Sequence, residues 1–259
     1  AGGCTIDAMT LVRLLLRDRR TTYVLLGALA VAYVIAHLFA AVSDAANWDE
    51  LALLRRAQEA VITGDLQTGG RPGLGVIALL PIVDGCTSVV SVVDTARMVW
   101  AIATFALLAG LFELLRRATR RSPHAWHTAA LGTALLAFVP VFLRWSLQIR
   151  TDQPAIAAAL WAGVALLASR QRFAWAILGG ALAALGYLFS QKALYIVALA
   201  GVITAGDLYI ARELDVRREA LRTLNFVAGA IAVVGAYKVI TPMLWSTPGA
   251  MSLDAGFDL

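Results

Sequence analysis

The chain has 259 residues, 60% of them hydrophobic, and a mean hydropathy of +0.75. Soluble domains sit near half apolar, so this composition excludes an ordinary soluble globule, and at roughly 20 residues per crossing it leaves room for several membrane spans. The net charge of +5 comes from 22 Lys and Arg against 17 Asp and Glu. No basic run interleaves with aromatics, so this excess reads as an orientation signal in a membrane protein and nucleic acid is excluded as a partner. Cys4 and Cys86 stand far apart and form no metal-binding pattern.

In chain order, residues 1–21 form a basic N-terminal segment containing "RLLLRDRR". Apolar stretches then predict helices over 22–43, 97–115, 126–144, 154–169, 173–189, 193–210 and 223–240. The fourth and fifth are short, which suits tilted or partly protein-buried spans. Between the first and second lies a long loop, 44–96. It opens on "NWDELALLRRAQEAVITGDL", where Asn47 reads as an N-cap and Glu50, three residues on, completes a capping box. Leu51, Leu54, Val61 and Ile62 fall on one face of this helix, which predicts an amphipathic element on the membrane surface. "PGLGVIALLPIV" (72–83) is apolar, short and bounded by proline, which suits an interfacial or re-entrant piece better than a span.

Charge orders the topology. With 72–83 left out of the span count, fourteen of the 22 basic residues fall in one set of loops: 13–20, 116–121, 170–172 and 212–222. The positive-inside rule then gives an inner N-terminus, seven spans in a module over 22–240, and a short outer tail over 241–259. Trp100, Trp126, Trp145 and Trp175 fall near predicted span ends, as interfacial indoles do. The inner loops read as solvated basic connectors.

Three outer segments carry the candidate chemistry. The first holds Asp49, which lies in a helical first turn whose capping is already done by Asn47 and Glu50. In the turn "LRWSLQIRTDQPA", Arg150 and Asp152 sit side by side, with Pro154 suited to a helix start and Asp152 near its N-cap. In "FSQKALY", Lys192 stands between two apolar helices, where it must reach water, a headgroup or an anion. Acids Asp49 and Asp152 and bases Arg71, Arg97, Arg150 and Lys192 thus converge on one membrane face beside apolar walls. Such a set can hold a phosphate, accept a proton from a hydroxyl and seat a lipid chain. No Ser-His-Asp pattern, phosphate-binding loop or zinc spacing competes. His37 falls inside the first span, and His124 and His127 lie in an inner basic loop.

The order of "NWDELALLRRAQEAVITGDL", "GGRPGLGVIALLP", "DTARMVWAIATFALLAGLFELLRRATRR", "FLRWSLQIRTDQPAIAAAL" and "GGALAALGYLFSQKALYIVALAG" resembles the GT-C superfamily of membrane glycosyltransferases, over about residues 10–240. It is most similar to the branch of protein O-mannosyltransferases and lipid A aminoarabinose transferases. The resemblance implies an all-α integral membrane fold of about seven transmembrane helices, with juxtamembrane helices in the first outer loop. It implies that a carboxylate after the first span acts as catalytic base, which carries over to Asp49 with Glu50 adjacent. It assigns substrate binding to Arg71, Arg97, Arg150, Asp152 and Lys192. The implied activity is inverting transfer of a sugar from a polyprenyl-phosphate donor to an acceptor hydroxyl on the outer face of a bacterial cytoplasmic membrane. No cofactor is required by this chemistry, and a divalent metal is an option that some relatives use. Membrane lipids and further membrane subunits are the other implied partners. Two rival readings follow from the sequence. One is a non-catalytic GT-C-like subunit of a larger membrane complex. The other is a transporter, for which no broken mid-membrane helix pair is visible.

Overall fold

The computed structural model describes residues 19–43, 46–66, 73–86, 88–211 and 215–244. All regular elements among them are helical: α1 (Arg19–Ser43), α2 (Trp48–Thr63), α3 (Leu74–Ile77), α4 (Leu80–Gly85), α5 (Val89–Ala118), α6 (Ala125–Ala137), α7 (Pro140–Ser146), α8 (Asp152–Ala168), α9 (Ala174–Phe189), α10 (Ala193–Ala211) and α11 (Val216–Leu244). Two of these, α5 and α11, are long and apolar enough to cross a membrane. A third crossing arises if α6 and α7, bent by 72° at the break between them, act as one span. The other apolar helical stretches, Ala30–Ala40, Leu74–Gly85, Asp152–Ala168, Ala174–Phe189 and Ala193–Gly206, are shorter. Of the seven expected spans, helix length therefore meets two outright and one as a bent pair, a content consistent with a membrane protein.

Several boundaries differ from the sequence expectation, each for a local reason. The helix expected over 97–115 begins at Val89, because Ser88 caps it: the Ser88 hydroxyl accepts from the Ser91 amide at 3.2 Å. The stretch 126–144 is not continuous. Val139 is extended and Pro140 starts the next helix, since proline supplies no amide hydrogen and disfavours helical geometry in the residue before it. The stretch 72–83 splits into α3 and α4, with Pro81 in the first turn of α4.

α8 is the central helix. It packs against α5, α9 and α10, and buries residues on nearly every side. A helix apolar all round belongs in such a position. Its neighbours approach closely because their contacts are small. A Cβ placed on Gly180 of α9 would lie 1.7 Å from the Phe226 carbonyl oxygen of α11, and one on Gly229 of α11 would lie 2.0 Å from the Ile177 carbonyl oxygen of α9. This is backbone-to-backbone packing of the small-residue kind used between helices in lipid.

The far end of the bundle from α2 is also knitted together. Arg222 on α11 is buried, donates to Ser169 Oγ (2.9 Å) and the Leu166 carbonyl (3.0 Å), and pairs with Glu219 (2.6 Å). It thereby covers the C-terminal carbonyls of α8, the favoured place for a cation. The basic loop residues expected to be solvated connectors thus include one structural cap. At the opposite end α2 lies over α3 and α4. Leu54, Ala57, Ala60, Val76, Leu79, Val93, Ala96, Trp100 and Ile149 form one core there.

The α9–α11 crossing yields a direct test. Gly180→Ala has no room at the Phe226 carbonyl and lowers the thermal midpoint of the detergent-solubilised protein, with an overpacking cost of about 1–3 kcal/mol or more. Gly201→Ala, where nothing lies within 4 Å, leaves the midpoint unchanged or raises it.

Candidate functional site

The site is built on the first turn of α2. The capping box forms as its sequence pattern predicts: Asn47 Oδ1 accepts from the Glu50 amide (3.0 Å) and Glu50 Oε2 accepts from the Asn47 amide (2.9 Å). Glu50 does more than cap. Its side chain is 0% exposed and receives the guanidinium fork of Arg97, Nε to Oε1 at 2.9 Å and Nη2 to Oε2 at 2.8 Å. The Ile149 amide adds a further bond to Oε1 at 2.8 Å. Burial alone would raise the Glu50 pKa. The Arg97 hydrogen bonds, the Asn47 and Ile149 amides and the Arg97 charge outweigh it and hold the carboxyl below its ordinary value. Glu50 and Arg97, expected in catalysis and substrate binding respectively, thus face each other inside the protein and not the cavity.

Of the four residues on the expected apolar face of α2, only Leu54 turns to the core. Leu54, Ala57 and Ala60 share the buried stripe with Glu50, whereas Leu51, Val61 and Ile62 are exposed with Trp48. The inward face is fixed by the Glu50 ion pair and by small residues that let α2 settle closely on its core. The larger apolar side chains are left to face outward.

Anchoring Glu50 inward sets the direction of its neighbour. Successive residues on a helix are about 100° apart, so Asp49 leaves the core and faces a cavity of about 460 Å³. Asp49 is 64% exposed, and its Oδ2 lies 3.5 Å from Arg150 Nη1. Across the cavity, Asp152 at the start of α8 accepts from Lys192 Nζ (2.8 Å) and from Ser190 Oγ (3.0 Å). The expected N-cap role of Asp152 is not seen: Thr151 occupies the cap position, and no side-chain cap bond forms. Of the expected site residues, Asp49, Arg150, Asp152 and Lys192 come together. Arg71 lies outside the described residues.

The sequence reading missed Arg56 and Gly73 on the wall and the residues that support it from behind. Arg56 lines the cavity two helical turns after Asp49, a spacing that could have revealed it. Gln153 is fully buried and shapes the turn before α8: Oε1 accepts from the Arg150 amide (3.2 Å), while Nε2 donates to the Trp145 (3.0 Å) and Gln148 (2.7 Å) carbonyls. Trp100 Nε1 donates to the Arg150 carbonyl at 2.6 Å and holds the same turn from α5. Gly73, on the wall, donates its amide to the Tyr237 hydroxyl of α11 at 3.0 Å. No local pattern marks these partners, because each is far away in sequence or bonds only main chain.

The chemistry available is that of an anion site with a base. Arg56, Arg150 and Lys192 supply three positive charges against the carboxylates of Asp49 and Asp152. Leu53, Val76, Ile149 and Phe189 supply apolar wall. Among the described residues, no group of three or more His, Cys, Asp or Glu side chains is placed to hold a metal ion. Comparison with protein-family models, curated proteins and solved structures finds no significant match for the chain.

The buried pair makes two predictions. Arg97→Met leaves the Glu50 charge uncompensated and destabilises the protein by about 3–5 kcal/mol in denaturant titrations. Because the Glu50 pKa is depressed by folding, its stabilisation is full above the ordinary value of about 4.3 and is lost as pH falls through the lower folded value. Between about pH 4.3 and the point of acid unfolding, Glu50→Gln therefore shows a shallower loss of stability with falling pH than the parent protein.

Proposed function

We propose that this chain is the catalytic membrane module of a glycosyltransferase that uses a polyprenyl-phosphate sugar as donor. The observation that carries the reading is the exposed carboxylate of Asp49 on the wall of a cavity whose cations exceed its carboxylates, Arg56, Arg150 and Lys192 against Asp49 and Asp152. On this reading Asp49 takes the proton from an acceptor hydroxyl as that oxygen attacks the anomeric carbon. The bond from that carbon to the phosphate oxygen breaks, and its electron pair leaves with the lipid phosphate. A single displacement inverts the anomeric centre. Arg150 and Lys192 meet the charge that develops on the departing phosphate, where fixed cations stabilise a transition state most. Glu50 and Arg97 position Asp49 and touch no substrate. On this reading the apolar helices make seven membrane passages, with the short ones inclined or protein-buried, and the cavity opens on the outer face of a bacterial cytoplasmic membrane, as the distribution of basic loops suggests.

One observation favours the rival reading of a non-catalytic structural subunit. Asp49 with Arg150, and Asp152 with Lys192, neutralise one another without a ligand. The first pair, however, is solvent-exposed at 3.5 Å, a kind of contact worth about 0–1 kcal/mol, which a phosphate displaces readily.

With radiolabelled polyprenyl-phosphate mannose or aminoarabinose as donor and native membrane extract as acceptor, the full-length protein transfers sugar. Asp49→Asn lowers kcat by about 10²–10⁴-fold, the range of a lost general base. Lys192→Met lowers kcat and raises the donor KM together. Full transfer by Asp49→Asn, in protein that keeps the parent thermal midpoint, rules this reading out.

A further inference from the structure

A cavity of about 530 Å³ lies away from the Asp49 site, between α1, α5 and α6. α1 and α6 both pack on α5, and the cavity occupies the space left between them. An aromatic pair stands at each end. Tyr33 of α1 meets Phe138 edge-on at one end, with ring centroids 5.8 Å apart. Phe112 of α5 meets Trp126 edge-on at the other, at 4.8 Å. Trp126 and Phe138 mark the two ends of α6, which at 1.5 Å per residue makes the slot about 18 Å long. Gly27 and Ala30 of α1 and Ala130 and Ala134 of α6 leave its walls smooth, and Phe105 of α5 adds a fifth ring.

Among the described residues no charged side chain lines this slot, so a phosphate headgroup or a carboxylate has no counterion there. Its length, a little over half of a hydrocarbon core about 30 Å thick, fits a lipid body of roughly one leaflet. Polar atoms gather at the Tyr33 end. Tyr33 and His37 stack at 5.6 Å and are buried, 9% and 3% exposed. The Tyr33 hydroxyl and both His37 ring nitrogens lie beside Ser146, yet meet hydrogen-bond geometry with no described residue. The same holds for the Thr133 hydroxyl on the cavity wall. Buried polar atoms without a partner are rare and costly, so these call for a ligand with a hydrogen-bonding group. Walls of rings keep their shape, and a rigid ligand loses less entropy between them than a flexible chain. We propose that this cavity binds a neutral, rigid, ring-built lipid alcohol of the shape and polarity of a sterol. Its hydroxyl meets those of Tyr33 and Thr133, and its ring body lies along α6 toward Trp126. The assignment goes beyond the transferase reading and needs only that these helices sit in lipid.

The probe is cholesterol carrying a photoreactive diazirine on its ring system, added to the full-length protein in phosphatidylcholine nanodiscs. After irradiation the labelled residues are mapped by mass spectrometry. Labelling saturates and concentrates on the facing sides of α1, α5 and α6. Unmodified cholesterol at about ten times its dissociation constant cuts it about tenfold. At the same concentration neither 5α-cholestane, which lacks the hydroxyl, nor oleyl alcohol, which lacks the rings, competes as well. Ala134→Phe fills the slot and abolishes the labelling, whereas Leu131→Phe, on the exposed face of the same helix, keeps it. Tyr33→Phe with Thr133→Val weakens binding roughly fivefold, the loss expected for one hydrogen bond. Equal competition by oleyl alcohol identifies a seat for a flexible chain and overturns the proposal. Equal competition by cholestane overturns it too, since the hydroxyl then has no role. So does labelling that never saturates and spreads over the lipid-facing side of α11, the pattern of boundary lipid only. The competition arms use the parent protein, so they decide the matter even where a variant fails to fold. No donor or transfer is needed, so Asp49→Asn labels as the parent does, and failure of either test leaves the other standing.

Discussion

Glu50 and Arg97 bury opposite charges between α2 and α5, and the carboxylate is satisfied from three directions at once: the Arg97 fork, the α2 N-terminus and the turn before α8. Desolvating two ions is costly, and it is offset only where geometry is good and the remaining lone pairs are filled. Those conditions hold here, so the pair acts as a three-way joint and not as an isolated contact. Its consequence for the site is angular. Rotating or sliding α2 would break the fork or the Ile149 bond, so the helix is held in register with the α7–α8 turn. Asp49 and Arg150 are immediate neighbours of two of the joined residues, and their facing positions follow from the joint.

The cavity is otherwise made of helix ends. Asp152 opens α8, Ser190 and Lys192 occupy the break between α9 and α10, and Asp49 lies in the first turn of α2. Helix ends suit this purpose because their positions are inherited from packed helices while their side chains still reach solvent. The N-terminal dipole of α8 adds favourable potential for an anion beside Asp152, reinforcing the three cations. Two of the cations, Arg150 and Lys192, are paired with the two carboxylates. Ligand binding on the proposed reading is then an exchange of partners, with the Asp49 carboxylate released as Arg150 turns to phosphate.

Local patterns in the sequence were legible, and long-range pairings were not. The N-terminus of α2 follows from Asn47 and Glu50 at capping spacing, and that capping box is present. The same spacing gives no sign that Glu50 also binds Arg97, 47 residues away, because an ion pair between helices leaves no periodic trace. The inward face of α2 was not legible for a related reason. The apolar stripe Leu51, Leu54, Val61 and Ile62 gave a membrane-surface helix, while the stripe that meets the core is made of the small Ala57 and Ala60 with Leu54 and a charged residue. Hydropathy likewise joined 126–144 into one segment, although Pro140 marks the break. The grouping of Asp49, Arg150, Asp152 and Lys192 was accessible because each stands at the end of an apolar run, and charge asymmetry assigns those ends to one side.

The small residues of α8, α9 and α11 bear on how a chain of rather short helices can hold such a site. α8 and α9 have 17 and 16 residues, and a short helix wrapped in large side chains would have latitude to tilt. At Gly180 and Gly229 the backbones of α9 and α11 are in direct contact, and at Gly186 the backbone of α9 closes on Ala155 of α8 in the same way. Direct main-chain contact removes that latitude, since nothing flexible lies between the helices. It is applied within four residues of Ser190 at one helix end, while Arg222 fixes the opposite end of α8. The distances from Asp152 to Ser190 and Lys192 are therefore set by packing through the whole bundle. The Glu50–Arg97 joint then brings Asp49 to that fixed edge.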